Sequence, residues 1–131
     1  MKFVSTYQGL NVYQEALSLA DKIFNVTKAF PAQETYSLTD QLRRSSRSIG
    51  AQLAEAWSKR RYTNHFISKL TDAVAEELET IHWLTIAQQC GYLSSEQASL
   101  LVKQCNAIGK MLMSMIENAE KFKLEERNPL K

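Results

Sequence analysis

The last third of the chain carries the most regular pattern of apolar positions. Apolar and small residues recur there at alternating steps of four and three, a spacing that places their side chains on one face of an α-helix. The positions are Leu101, Cys105, Ile108, Leu112, Met115, Ala119 and Phe122. The pattern predicts a helix that extends to about Phe122 and packs against other helices along this stripe.

A similar pattern near the start predicts a first helix from about Leu10 to Phe30. Pro31 would end this helix, because proline has no amide hydrogen and disfavours a helical conformation of the residue before it. The predicted inward stripe is Leu10, Tyr13, Leu17, Ala20, Phe24 and Thr27.

Two further helices are predicted between these segments. The second runs from about Ser37 to Lys59 and the third from about Asn64 to Gln89, with Thr63 as the N-cap of the third. The predicted inward positions are Leu38, Leu42, Ser45, Ile49, Leu53 and Ala56 in the second helix, and Phe66, Leu70, Ala73, Ile81 and Leu84 in the third. Gly91 is expected to adopt the left-handed conformation that ends the third helix, and Ser94 to form a capping box with Gln97.

These elements predict an all-α protein that folds as an antiparallel up-down-up-down four-helix bundle, because short connections favour neighbouring antiparallel helices. We expect the bundle to occupy residues 1–123 and residues 124–131 to form a flexible charged tail. No apolar run approaches the ~20 residues of a membrane span, and the first eight residues lack the apolar segment of a signal peptide. The sequence therefore predicts a cytoplasmic protein with no membrane contact, in which Cys90 and Cys105 are reduced thiols.

The acidic residues and histidines give little reason to expect an enzyme. Glu79 and His82 match the Glu-x-x-His pair of di-iron bundles, but that site needs a second such pair, and the residue three positions before His65 is not an acid. We predict no metal site, no cofactor and no catalytic residue. Glu77 falls on the inward side of the third helix, and a buried hydrogen bond to Ser45 or to an arginine is favoured over a catalytic role.

Positive charge is concentrated in one region. The net charge is +2, yet residues 37–65 carry six basic groups against Asp40 and Glu55, a local +4 (six minus two). The basic residues are Arg43, Arg44, Arg47, Lys59, Arg60 and Arg61. Guanidinium groups fit phosphate geometry, and Tyr62 and His65 offer flat faces on which bases could stack, so we predict binding of RNA or DNA. The alternative is a solvated helix face whose arginines pair with Asp40 and Glu55.

A row of small residues runs beside these arginines. Ser46, Gly50, Ala54 and Trp57 follow one another at steps of four, four and three. Glycine inside a helix costs ~1 kcal/mol relative to alanine, so Gly50 suggests a close approach by another helix. We predict that this row is a contact between subunits of a homo-oligomer. The alternative is that the first or third helix of the same chain covers it.

The segment Gln41–Ala56, QLRRSSRSIGAQLAEA, resembles the signature QLRRAAxSIxxNIAEG of the small four-helix-bundle proteins encoded in intervening sequences of bacterial 23S rRNA genes. The start of the chain at residues 7–16 is similar to the start of that family, and the likeness covers about residues 3–123. Later positions that match the family are Phe66, residues 76–79, residues 91–93 and residues 108–112.

The resemblance implies a pentameric ring and a relation to the accessory variability determinant proteins of diversity-generating retroelements, which bind nucleic acid and a reverse transcriptase. The chain departs from the family pattern by having Gly50 where proline is frequent, Gln52 for asparagine and Ala56 for glycine. We therefore expect a non-enzymatic, homo-oligomeric protein that binds nucleic acid, with a reverse transcriptase as a further expected partner. The alternative is a protein–protein adaptor whose basic face binds an acidic partner.

Overall fold

The computed structural model describes residues 4–124, and four α-helices account for most of them. These are α1 (Asn11–Thr27), α2 (Leu38–Ser58), α3 (Thr63–Gln89) and α4 (Ser95–Glu117), with short 3-10 helices at Tyr7–Gly9, Ala32–Glu34 and Ala119–Phe122. Helix α2 packs against α1 and α3, and α4 packs between α3 and α1, so α2 and α4 lie diagonally across the bundle. The described residues contain no strand, and the predicted four-helix fold is confirmed. Almost all of the predicted tail lies outside the described residues.

The core is formed by one apolar face from each helix. The predicted stripes of α2 and α4 are buried, except that Phe122 at the end of the second stripe is half-buried. In α3, Ile81 is also only half-buried, because the inward face there includes Glu77 and Thr80. The core therefore contains a charged side chain on its α3 face, and smaller buried hydroxyl groups come from α1 and α2.

In the predicted stripe of the first helix, Leu10 and Thr27 are buried as predicted, and the four positions between them are wrong by one residue. The side chains of α1 that the bundle buries are Val12, Ala16, Leu19, Ile23 and Thr27. Leu17 is 47% exposed, and Tyr13, Ala20 and Phe24 are half-buried. Helix α1 has two adjacent apolar rows. One row faces the core, and the other lies along the edge that α1 shares with α2.

Three helix ends differ from the prediction, and at the ends of α1 and α4 the last carbonyl groups accept hydrogen bonds from 3-10 turns and side chains. Helix α1 ends at Thr27 rather than near Phe30, and the next three amides donate to carbonyls three residues back. Helix α4 ends at Glu117, and a 3-10 turn continues to Phe122. Helix α3 begins one residue earlier than predicted, with Tyr62 rather than Thr63 as its N-cap.

The connection between α3 and α4 has the helix caps that the sequence predicts. Gly91 has a φ angle of 80°, the left-handed conformation that glycine adopts without strain. The Gln97 amide donates to the Ser94 hydroxyl at 3.0 Å, and the Ser94 amide donates to the Gln97 side-chain oxygen at 2.9 Å. This reciprocal pair is the predicted capping box, and it fixes where α4 starts.

Candidate nucleic-acid interface

Three cationic side chains surround one aromatic ring where α1 and α2 meet. The Arg43 and Arg47 guanidinium carbons lie 4.6 Å and 5.4 Å from the centre of the Phe24 ring, and the Lys28 ammonium nitrogen lies 4.9 Å from it. Each distance is within the ~6 Å over which a ring face attracts a cation. We call Phe24, Lys28, Arg43 and Arg47 the Phe24 cluster. It gathers positive charge from two helices at one place on the surface.

Arg43 is the anchored member of this cluster. Its Nε donates to the Thr27 hydroxyl at 2.8 Å, and a terminal nitrogen donates to the Phe24 carbonyl at 3.4 Å. These acceptors lie in the last turn of α1, where the helix dipole favours a positive group. Arg43 is therefore half-buried rather than pointing freely away from the core as predicted, whereas Arg47 and Lys28 are exposed.

Arg44 is exposed but lies beside the acidic outer side of α3. Burial and repulsion from Glu79 raise the pKa of the Glu76 carboxyl, and the positive charge of Arg44 partly opposes that rise. Arg44 therefore faces some negative charge from its own chain, which makes it a weaker candidate for phosphate contact than Arg47.

The carboxylates of α2 do not neutralise its arginines. Within residues 4–124, the ion pairs are those of Lys69 with Glu55 at 3.1 Å and with Asp72 at 3.4 Å. Glu55 is thus used by a lysine of α3, and Asp40 lies in no ion pair of this part of the chain. The arrangement leaves the positive charge of the Phe24 cluster without a paired carboxylate.

The second half of the predicted basic set lies at the other end of α2. Lys59 and Arg61 are exposed, whereas Arg60 stacks on the Trp57 ring at 3.6 Å and donates from Nε to the Trp57 carbonyl at 2.9 Å. Burial lowers the pKa of Arg60, which stays a cation at neutral pH because its ordinary value is far above 7. Arg60 is held in place by its own chain, so Lys59 and Arg61 are the members of the predicted basic set that remain exposed at this end.

The predicted row of small residues is mostly covered within the chain. Ser46 is 1% exposed and Gly50 is buried, and a Cβ atom added at Gly50 would lie 3.4 Å from the Tyr13 ring of α1. The close approach that Gly50 indicated is thus made by the first helix, which was the alternative interpretation. Ala54 and Trp57 are half-buried and remain available for the predicted subunit contact.

Glu77 is buried as predicted, but its surroundings are different from those predicted. Its carboxylate lies against Gly109 of α4, where an added Cβ atom would be 2.6 Å from Oε1. The Ser45 hydroxyl instead accepts from Thr80 at 3.0 Å, and no hydrogen bond among residues 4–124 reaches the Glu77 carboxylate. Burial raises the pKa of the Glu77 carboxyl. Burial and the nearby charge of Glu77 raise the pKa of the Cys105 thiol to about 12. The Cys105 thiol is therefore unreactive.

Glu79 and His82, the candidate metal ligands of the sequence, both contact Trp83. The Trp83 indole nitrogen donates to the Glu79 carboxylate at 3.1 Å, and the His82 ring packs against Trp83. No three His, Cys, Asp or Glu side chains of the described residues gather as metal ligands. None of the described helices is long and apolar enough to cross a bilayer.

Sequence reasoning missed Lys28 and Phe24 as parts of the basic surface. Lys28 is four residues after Phe24, a spacing that places both on one side of a helix and could have been noticed. The approach of Phe24 to Arg43 and Arg47 joins positions about 20 residues apart in the chain and depends on how α1 packs on α2. No local pattern in the sequence contains that information.

The fold and the surface define a small four-helix-bundle protein with a basic region on its first two helices. The family model described as 23S rRNA-intervening sequence protein matches residues 8–114, and the chain belongs to that family. A crystal structure of a protein of unknown function from the S23 ribosomal protein family of Bacteroides thetaiotaomicron is similar, with 32% identity and a TM-score of 0.73. The match covers 81% of this chain and 98% of that one. No curated protein matches the sequence.

Proposed function

We propose that this protein is a non-catalytic nucleic-acid-binding protein that contacts the phosphate backbone through the Phe24 cluster. The observation that carries the proposal is the convergence of Lys28, Arg43 and Arg47 on one ring with no carboxylate paired to them. Cations held close together repel one another, and an anion that binds among them relieves that repulsion. A polyphosphate strand is such an anion, and releasing its counterions supplies further free energy.

The geometry also suggests how selective this binding is. Arg43 is fixed by Thr27 and Phe24, while the exposed Arg47 and Lys28 can move to meet phosphates on either side. Contacts of this kind position a strand but do not read base edges. We therefore expect weak sequence preference and strong dependence on salt.

The test compares two charge reversals of equal size. Lys28→Glu/Arg47→Glu alters exposed members of the Phe24 cluster, and the matched control Lys103→Glu/Lys110→Glu alters exposed lysines on the diagonally opposite α4. Affinity for single-stranded RNA and duplex DNA is measured by fluorescence anisotropy from about 50 to about 200 mM salt, and the first variant should lose about two units of salt slope. Arg43 is left intact because it also caps α1.

Three outcomes separate the possibilities. Loss of binding in the cluster variant but not in the α4 control supports the proposal. Equal loss in both variants would mean that only net charge matters, and the proposed site would be wrong. If the wild type binds neither nucleic acid at low salt, the alternative of an adaptor for an acidic protein takes its place.

We also propose that the chain self-associates, as the family resemblance implies for a pentameric ring. Ala54 and Trp57 are the members of the small-residue row that the fold leaves partly exposed. Light scattering should give a mass near five times the 15.0 kDa of one chain. Ala54→Arg should lower that mass, and the control Ala75→Arg, at an exposed position of α3, should not. A wild-type monomer at micromolar concentration would contradict self-association.

A reverse transcriptase is the protein partner that we propose from the resemblance to retroelement accessory proteins. The support is the family relation alone, so the test is genetic context followed by direct binding. A reverse transcriptase gene beside this one, whose purified product binds the protein, would support this partner. Absence of binding between the two purified proteins would contradict it.

A further inference from the structure

A second positively charged feature lies at the opposite end of the bundle from the Phe24 cluster. A depression of about 400 Å³ opens where α3 begins, and α3 and the C-terminal 3-10 turn both contribute to it. The residues that line it are Arg61, Tyr62, Thr63, Asn64, His65, Glu120 and Lys123. We call this depression the α3 pocket.

The C-terminal segment is held in place beside α3 by packing and one hydrogen bond. Phe122 lies 5.7 Å from Phe66 and 6.4 Å from Trp57, measured between ring centres. The Leu124 amide donates to the Arg60 carbonyl at 3.3 Å. These contacts bring Lys123 to the same depression as Arg61, although the two are far apart in the sequence.

The first turn of α3, which lines the pocket, has hydrogen-bond donors without acceptors in the described part of the chain. The first backbone amide of this helix with a partner is that of Phe66, which donates to the Tyr62 carbonyl at 3.0 Å. Within residues 4–124, the amides of Thr63, Asn64 and His65 donate to no acceptor, as expected for the first turn of a helix. The Thr63 hydroxyl oxygen is buried and also has no hydrogen-bond partner in this part of the chain.

We propose that the α3 pocket binds a phosphate monoester, supplied either by a free nucleotide or by the phosphorylated end of a nucleic-acid strand. Three free amides and the positive end of a 27-residue helix favour an anion at this position. Arg61 and Lys123 line the same depression and add two full positive charges. The orphaned Thr63 hydroxyl is a further polar group for which the chain itself offers no partner.

The aromatic residues of the pocket fit a nucleotide better than an inorganic ion. Tyr62 is 60% exposed, and its ring centre lies 5.3 Å from that of His65. A base attached to the bound phosphate can therefore stack on an exposed aromatic face. A depression admits the end of a strand more readily than its middle, so a terminal phosphate is the strand group that we expect there.

Glu120 provides a test of the proposal, because its negative charge opposes binding of an anion. Its carboxylate lines the same depression and repels an anion. Glu120→Gln removes that repulsion, so affinity for the phosphate should rise severalfold. A variant that merely disturbed the pocket would weaken binding instead, and the direction of the change distinguishes the two cases.

Adenosine 5′-monophosphate and adenosine are the probes, titrated into the full-length protein while amide NMR signals are recorded. The monophosphate should shift the amide signals of residues 63–65, and adenosine should not. Arg61→Gln should weaken monophosphate binding about tenfold, as expected for loss of one hydrogen bond to a charged group. Lys121→Gln is the matched control, because Lys121 is exposed in the same 3-10 turn but does not line the pocket.

A second arm distinguishes the two sources of the phosphate. An oligonucleotide with a 5′-phosphate is compared with the same strand ending in a 5′-hydroxyl. Tighter binding of the phosphorylated strand, lost in Arg61→Gln, identifies a strand end as the ligand; equal binding of both, with the monophosphate still bound, identifies a free nucleotide.

The strand-end part of this proposal rests on the proposed function, whereas nucleotide binding does not. Lys28→Glu/Arg47→Glu should keep its affinity for the monophosphate, so failure of the Phe24 cluster leaves the pocket testable. Equal shifts with adenosine and its monophosphate, or unchanged monophosphate affinity in Arg61→Gln, would overturn the α3 pocket as a phosphate site.

Discussion

Among the described residues, Glu77 is the one carboxylate that the bundle buries, with 3% of its surface exposed. It faces Gly109 and lies near Cys105 on α4, and neither side chain can donate a strong hydrogen bond to it. An ionised carboxylate in such a place is costly because it loses its hydration without gaining a donor. Burial accordingly raises its pKa, so folding favours the protonated form relative to the unfolded chain.

This placement predicts a pH dependence that Glu77→Gln should remove. The pKa of Glu77 is higher in the folded state than in the unfolded chain. As pH rises above the unfolded pKa, the unfolded chain loses the proton while the folded state still holds it, and the free energy of unfolding falls. Glutamine does not titrate, so the melting temperature of the variant minus that of the wild type should increase from about pH 4 to pH 7.

Melting curves at several pH values test this prediction, with Glu117→Gln on the exposed side of α4 as the control. The control should show no such trend. A difference between Glu77→Gln and the wild type that stays constant across this pH range would mean that folding does not raise the pKa of Glu77.

The two glycines inside helices predict opposite effects of the same substitution. At Gly109, an added Cβ would lie 2.6 Å from the Glu77 carboxylate, whereas at Gly50 it would lie 3.4 Å from the Tyr13 ring, an ordinary contact. Gly109→Ala should destabilise the protein by ~1–3 kcal/mol through overpacking. Gly50→Ala should stabilise it by ~0.5–1 kcal/mol, because alanine favours the helix.

Chemical denaturation of the two variants side by side checks the signs. Combining Gly109→Ala with Glu77→Ala should recover part of the loss, because the clashing carboxylate is then absent. Loss of stability in Gly50→Ala would mean that the contact with the Tyr13 ring is too tight for a methyl group.

At the scale of the elements, the sequence predicts α2, α3 and α4 well and α1 less well. Helix α2 has a single row of large apolar residues, so its buried face is unambiguous. Helix α1 has one row through Leu19 and Ile23 and another through Tyr13, Leu17 and Phe24. Periodicity cannot decide which of two rows of similar hydrophobicity faces the core. The choice depends on how α1 packs against α2, which places the second row along their shared edge.

The end of α1 gives the prediction that belongs to this scale. Arg43 donates to acceptors in its last turn, whereas the neighbouring Arg44 makes no side-chain hydrogen bond within the described residues. Arg43→Gln should therefore cost ~1 kcal/mol of unfolding free energy, by loss of a charged group at a helix C-terminus, while Arg44→Gln should change it by less than ~0.5 kcal/mol. Urea denaturation measures both, and equal effects would argue against the capping role.

At the scale of the whole molecule, the basic region could be predicted from the sequence but its division could not. Charge counting finds Arg43 to Arg61 as one stretch. Packing then divides it, because Arg43 and Arg60 are held by their own chain, while the exposed Arg47 lies near the middle of α2 and Arg61 lies three residues beyond its end. Two lysines from distant parts of the chain add to these groups: Lys28 lies in the Phe24 cluster, and Lys123 lines the depression that contains Arg61. Their contribution is set by the tertiary fold, which local patterns do not encode.

This division predicts how affinity depends on the length of the nucleic acid. The Phe24 cluster is separated from the exposed Lys59 and Arg61 by about 16 Å of α2, from Arg47 to its last residue Ser58 at 1.5 Å per residue, and by the short turn that follows. A duplex rises 3.4 Å per base pair, so about six base pairs cover that distance. Shorter duplexes can meet one basic group only, and longer ones can meet both at once.

The salt slope reports this difference directly, because it is proportional to the number of phosphates that the protein neutralises. With about three cations at the Phe24 cluster and two more in Lys59 and Arg61, the slope should steepen from about −2.7 for duplexes of about five base pairs to about −4.5 for duplexes of about twelve. Lys59→Gln/Arg61→Gln should remove the steepening and leave the short-duplex slope unchanged. A slope that does not change with length in the wild type would show that the two basic groups do not share one strand.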